Sequence, residues 1–286
     1  MSNDLGADTD CASSHGAVQR EQLLQQRLRQ LYSRTIEALV PICIRAPRGE
    51  PELVGTGIAL RIDDHIAIAT AAHVADHGAN TKLYVRIGET LCTLPAPYST
   101  SLPASGKRED DATDLAFWIL QEPYRKKLGE MRPLNALQSD IWNKAPRTLE
   151  DGSDYVVVGY PRSQQSRHPK PSSRGYELEF RPQIFLLRPY SAEARAEANL
   201  KFSDTLLLDY DKENSYTSTG RRTGPDLYGV SGSPVWYAPN ISEEKCGVPK
   251  LAGIAIEWRK KHPVGIIATP MVHLLRGVIA AIENKL

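Results

Sequence analysis

Gly229-Val230-Ser231-Gly232-Ser233-Pro234-Val235-Trp236 sets a serine between glycines at the head of an apolar, β-type run. Small neighbours leave room for a substrate carbonyl beside a hydroxyl, and glycine permits the tight backbone that can aim amide hydrogens at it. Ser231 is therefore the candidate nucleophile. Glycine and serine also gather in ordinary turns, so the stretch acquires meaning only from what lies upstream.

Upstream, Ile68-Ala69-Thr70-Ala71-Ala72-His73-Val74 places a histidine at the end of a strand-like run, and Asp114 opens another, Leu115-Ala116-Phe117-Trp118-Ile119-Leu120. A serine hydroxyl becomes a useful nucleophile when an imidazole takes its proton, and a carboxylate fixes the tautomer of that imidazole. His73 fits the role of general base and then general acid, and Asp114 the role of its orienter. Asp110 and Asp111 compete on sequence distance, but only Asp114 adjoins the apolar strand that would hold a carboxylate still. His65 and His77 read as surface residues in turns. The chain order His73, Asp114, Ser231 differs from the Ser, acid, His order of α/β-hydrolases and the Asp, His, Ser order of subtilisins.

These residues resemble the trypsin-like serine peptidases of the chymotrypsin fold. Thr70-Ala71-Ala72-His73 is similar to that family's histidine motif, Asp114-Leu115-Ala116 to its acid motif, and Gly229-Val230-Ser231-Gly232-Ser233-Pro234 to its nucleophile motif. Gly253-Ile254-Ala255-Ile256 and Gly265-Ile266-Ile267 resemble the two strands that wall its specificity pocket. The resemblance covers roughly residues 40 to 286. It implies a Ser-His-Asp catalytic triad, an oxyanion hole made by the amides of Gly229 and Ser231, and a structural role for Ser233 where the family has a second glycine. It also implies that Pro225 or Asp226 approaches the base of the primary pocket, while Ile256, Glu257 and Trp258 run along the substrate backbone. An Asp226 in the pocket would favour Lys or Arg; the favoured alternative is that Asp226 faces solvent or caps a turn. Val230 stands where zymogens of the digestive type carry an Asp, and an apolar side chain cannot pair with a new N-terminal amine, so activation by trimming is not expected.

A chain of 286 residues with 41% hydrophobic content can bury a large core. Its formal net charge of +1 gives no electrostatic footprint for nucleic acid or an anionic membrane. The basic runs Arg125-Lys126-Lys127, Arg221-Arg222 and Arg259-Lys260-Lys261 read as solvated loop faces. Met1 to Ala17 lacks the pattern of a secretory signal, no apolar run reaches the ~18 residues of a membrane span, and Cys11, Cys43, Cys92 and Cys246 have no paired spacing. A cytoplasmic protein is the expectation. No Walker-type loop, dinucleotide fingerprint or metal-ligand spacing occurs, so neither cofactor nor metal is expected.

The pattern predicts an all-β protein: two antiparallel six-stranded β-barrels, chymotrypsin-like, with an N-terminal and a C-terminal helix. Residues 1–38 form a polar N-terminus and helical extension, whose stripe Val18, Leu24, Leu28, Leu31 faces the body or a regulatory protein partner. Residues 39–121 form the first barrel, with runs at 40–45, 55–62, 65–73, 82–87, 90–94 and 115–120. The Pro-containing, charged residues 122–150 form a connector, and 151–286 the second barrel. Its runs are 154–161, 177–187, 204–209, 233–237, 251–258 and 264–268, with a short helix within 191–200 and a closing helix over 271–286. The function this implies is serine endopeptidase activity on a protein or peptide substrate. The rivals are a non-catalytic peptide-binding scaffold on the same fold and an esterase using the same acyl transfer.

Overall fold

Six consecutive apolar residues, Leu115–Leu120, form a strand with both faces buried, and the N-terminal lobe is built from it and its neighbours. The computed structural model describes residues 8–47, 49–87, 90–99, 105–121, 132–135, 153–169, 176–198, 205–213, 215–217, 220–260 and 262–284. Helix α1 (Asp8–Ile36) leads into β1 (Leu39–Arg45), β2 (Pro51–Ile62) and β3 (His65–Ala71), after which comes the short helix α2 (Ala72–Asp76). Then follow β4 (Leu83–Ile87), β5 (Thr90–Thr93), β6 (Tyr98–Ser99), β7 (Leu115–Leu120) and β8 (Leu134–Asn135). Their sheet runs β5-β4-β1-β2-β3-β7-β6, antiparallel throughout, with β8 added in parallel to β2. The predicted β2–β3 hairpin turns at Asp63, whose φ of 50° lies in the left-handed region that Asp tolerates.

The C-terminal lobe contains β9 (Asp154–Gly159), β10 (Gln165–Pro169), β11 (Tyr176–Phe180) and β12 (Gln183–Pro189). Helix α3 (Ala192–Glu197), β13 (Leu206–Asp209), β14 (Ser215–Thr217), β15 (Gly220–Arg222), β16 (Pro234–Ala238), β17 (Lys250–Arg259), β18 (Gly265–Pro270) and helix α4 (Met271–Glu283) complete it. The order β13-β18-β17-β16-β9-β12 returns to β13 through Arg188↔Asp209 and Pro189↔Leu208, which closes a six-stranded barrel. Strands β14 and β15 extend from β12, and β10 and β11 form a separate hairpin.

Side-chain alternation explains how one strand serves two cores. Tyr155 and Val157 of β9 point into the barrel with Phe185, Val235, Ala252 and Ile266. Val156 and Val158 face outward into a second core shared with Trp236, with Leu24, Leu28 and Leu31 of α1, and with the apolar strands of the N-terminal lobe. Leu24, Leu28 and Leu31 of the α1 stripe are thus covered by the protein's own body, each contributing roughly 1.5–3 kcal/mol of burial, while Val18 stays 58% exposed. Arg27 secures the same helix by donating to the carbonyls of Ile241 and Glu244, each at 2.9 Å. Met271, Leu274, Leu275 and Val278 bury the corresponding face of α4.

The barrel expectation is met in part, and two predicted strands change their bounds. One lobe closes into a six-stranded barrel, and the sheet of the other is consistent with a second barrel that stays open among the described residues. The strand predicted over 65–73 ends at Ala71, and His73 sits in α2; Ala72 and Ala75 favour a helical turn once the ladder with β7 runs out. The run predicted over 177–187 breaks into β11 and β12 because Pro182 has no amide hydrogen for a continuous ladder. The N-terminal helix runs over Asp8–Ile36, inside the extension expected over residues 1–38. Of the connector, only residues 132–135 lie within the described residues, and Leu134–Asn135 form β8. Among the described residues no helix is long and apolar enough to cross a membrane.

Candidate active site

The β3–β7 register brings the imidazole and the carboxylate together. Ala71 pairs with Leu115 at the end of the ladder, so the next residues outward, Ala72 and Asp114, face each other, and the Ala72 amide donates to the Asp114 carbonyl at 2.7 Å. The Asp114 carboxylate then accepts twice from one residue, from the His73 backbone amide at 2.9 Å and from His73 Nδ1 at 2.7 Å. Holding the proton on Nδ1 leaves the lone pair on Nε2, the acceptor a neighbouring hydroxyl requires. The Asp114 side chain is 10% exposed and that of His73 39%, a shielded orienter behind an accessible base. Asp114 has a φ of 41°, a left-handed conformation that is uncommon outside glycine and clusters at functional sites.

Asp111, one of the two competing acids, is engaged elsewhere. It forms an ion pair with Arg108, which also binds Asp76 at 2.7 Å, and it accepts from the Thr113 amide at 3.1 Å. Hydrogen bonding to Asp76 and the nearby carboxylates raise the Arg108 pKa further. From the other lobe, Thr269 Oγ1 donates to the Thr113 carbonyl at 2.8 Å. The loop entering Asp114 is therefore pinned from both lobes.

Ser231 rests on a loop whose carbonyls from Leu227 to Ser231 are tethered. The Tyr228 carbonyl accepts from the Arg162 amide at 2.6 Å, and the Val230 carbonyl from the Ser233 amide at 3.0 Å. In a planar trans peptide the N–H lies opposite the C=O, so the bond from Ser233 turns the Ser231 amide away from the turn it closes, and the bond from Arg162 turns the Gly229 amide away from Arg162. Among the described residues neither amide donates to a backbone carbonyl. Gly229 and Gly232 adopt φ of 88° and 90°, and an added Cβ at Gly229 would lie 2.6 Å from the Tyr160 carbonyl oxygen. Val230 is buried in the barrel core. Ser233 is fully buried at 0% exposure, out of reach of a polypeptide, which separates it from Ser231.

Thr56 joins the two halves of the site. Its amide donates to the Ser231 carbonyl at 2.8 Å, its hydroxyl donates to the Gly229 carbonyl at 2.7 Å and accepts from the Tyr160 amide at 3.0 Å, and its carbonyl accepts from Thr70 Oγ1 at 2.7 Å. Thr70 lies three residues before His73, so one residue of β2 links the serine loop to the histidine strand. Sequence reading gave Thr56 no role. The signal was Gly55-Thr56-Gly57, a hydroxyl between glycines in an apolar strand.

His73, Asp114, Gly229 and Ser231 line one cleft of about 550 Å³ between the lobes, and Ile256, Glu257 and Trp258 line it as well. Asp226 does not line it; this residue is exposed and pairs with Lys212 at 2.7 Å, so the pocket-base placement is corrected in favour of the solvent-facing alternative. The neighbouring Pro225 carbonyl accepts from Tyr210 Oη at 2.6 Å, and burial pushes the Tyr210 pKa up to about 12, so that hydroxyl stays a donor. His77, read as a surface residue, is exposed but borders the cleft. Lys260, placed by sequence on a solvated loop, also borders it. Among the described residues no group of three or more His, Cys, Asp or Glu is arranged to hold a metal ion, and Cys43, Cys92 and Cys246 are free thiols. The barrel-rich all-β architecture is compatible with a chymotrypsin-like fold. No known protein-family profile matches the chain, and no curated protein sequence matches it.

Proposed function

We propose that this protein is a serine endopeptidase that hydrolyses peptide bonds in a polypeptide substrate through an acyl-enzyme. The observation that carries the reading is the His73–Asp114 pair, joined by two hydrogen bonds, lining the same cleft as Gly229 and Ser231. Ser231 Oγ adds to the scissile carbonyl as His73 Nε2 takes its proton, and the oxyanion that forms accepts from the Gly229 and Ser231 amides. Collapse of the tetrahedral intermediate breaks the C–N bond, and His73 returns its proton to the leaving amine. Water, deprotonated by His73, then attacks the Ser231 ester and releases the acid. Asp114 stays ionised and holds the imidazolium. No step draws on a cofactor or a metal.

Three of the four stripe residues of α1, Leu24, Leu28 and Leu31, are already spent on the body, which favours the substrate polypeptide over a helix-docked regulator as the partner. A cytoplasmic setting accords with unpaired thiols. A panel of matched peptide amides and alkyl esters tests the reaction class. Internal amide cleavage by wild type, with burst kinetics from acyl-enzyme accumulation on the esters, is expected. Ester turnover without amide cleavage would assign an esterase, and turnover of neither a non-catalytic binder.

A further inference from the structure

The cations around the cleft are not equivalent. Arg162 is neutralised by Glu52 at 2.5 Å, and Arg108 by Asp76 and Asp111. Lys260 has no carboxylate partner among the described residues. Instead its ammonium lies 4.2 Å from the centroid of the Tyr228 ring and 4.9 Å from that of Trp258, and it donates to the Tyr228 hydroxyl. The two rings meet edge to face, with centroids 5.4 Å apart at 87°. Tyr228 is 55% exposed and immediately precedes Gly229, whose amide is proposed to receive the substrate oxyanion.

Cation–π contact fixes where a flexible lysine points without cancelling its charge. An aromatic bracket beside the reacting carbonyl thus presents a positive charge that a carboxylate in the cleft can complete, and an ammonium has donors to spare for it. Glu257 borders the same rim, exposed and without an ion pair to Lys260 among the described residues. It repels the same carboxylate, which limits how far the preference reaches.

Resting on the peptidase reading, we propose that Lys260, held by Tyr228 and Trp258, selects polypeptides with an Asp or Glu close to the scissile bond. The test is binding, so that it does not depend on turnover. In the full-length Ser231→Ala protein, fluorescein-labelled decapeptides carrying a central Glu are compared with the same peptides carrying Gln, by fluorescence anisotropy. The Glu peptides are expected to bind about 5- to 10-fold more tightly, the scale of a partly exposed charge-assisted contact. Lys260→Met should abolish that ratio, Lys260→Arg should keep it, and Lys260→Glu should invert it. Equal affinities, undetectable binding of both peptides, or a ratio unmoved in Lys260→Met would overturn the proposal. Cleavage of peptides without acid preference would leave the peptidase reading standing and remove this one. Acid-selective binding without cleavage in the unmodified protein would do the reverse.

Discussion

Asp114→Asn is expected to lower kcat for peptide hydrolysis by about 10⁴-fold while leaving the protein folded, the scale seen when a triad acid loses its charge. The carboxylate accepts from both the backbone amide and Nδ1 of His73. An asparagine carbonyl can accept one of these, and its NH₂ must then face the other. If that group meets Nδ1, it donates to the ring, the proton moves to Nε2, and His73 presents a hydrogen to Ser231 in place of a lone pair. The fold should tolerate the change, because the φ of 41° at this position is one that asparagine adopts as readily as aspartate. Steady-state kinetics beside a thermal melt separates the two effects. A variant retaining kcat within tenfold of wild type would show that Asp114 does not orient the base.

Gly232→Ala should damage both stability and activity. The added Cβ would lie 1.9 Å from the Thr56 carbonyl oxygen and 2.1 Å from Thr70 Oγ1, closer than atoms can approach, and the φ of 90° already disfavours an L side chain. Relief requires the serine loop to move away from β2, which breaks the bonds from Thr56 to the Ser231 and Gly229 carbonyls and misaims both amides. The expected outcome is a loss of ~3–5 kcal/mol in urea denaturation, in the range of severe steric substitutions. A fall of kcat by more than ~10²-fold, the cost of one lost oxyanion donor, should accompany it. Wild-type stability in this variant would contradict the packing described between Gly232 and β2.

Much of the frame was legible because strands announce themselves by apolar runs. Leu115–Leu120 matches its predicted bounds, and the placement of Asp114 at the head of that strand put it beside His73. Other features left weaker traces. His73 was read onto a strand because the apolar run of β3 continues without a turn residue into α2, so the pattern does not mark where the ladder ends. The open N-terminal sheet and the parallel β2–β8 pairing depend on contacts between distant segments, Leu60 with Leu134, which local periodicity does not encode. Lys260 looked like one charge in a basic run, since only folding brings it onto Tyr228, 32 residues earlier in the chain. Asp226 illustrates the converse: the family resemblance implied a place near the pocket, and the nearby Lys212 ammonium pairs with it at the surface.

Reaction with a fluorophosphonate followed by peptide mass mapping tests most directly whether Ser231 is an activated nucleophile. A single phosphonyl adduct on Ser231, absent in Ser231→Ala and strongly slowed in His73→Ala, is the expected result. Labelling at another serine, or equal labelling of wild type and Ser231→Ala, would contradict it.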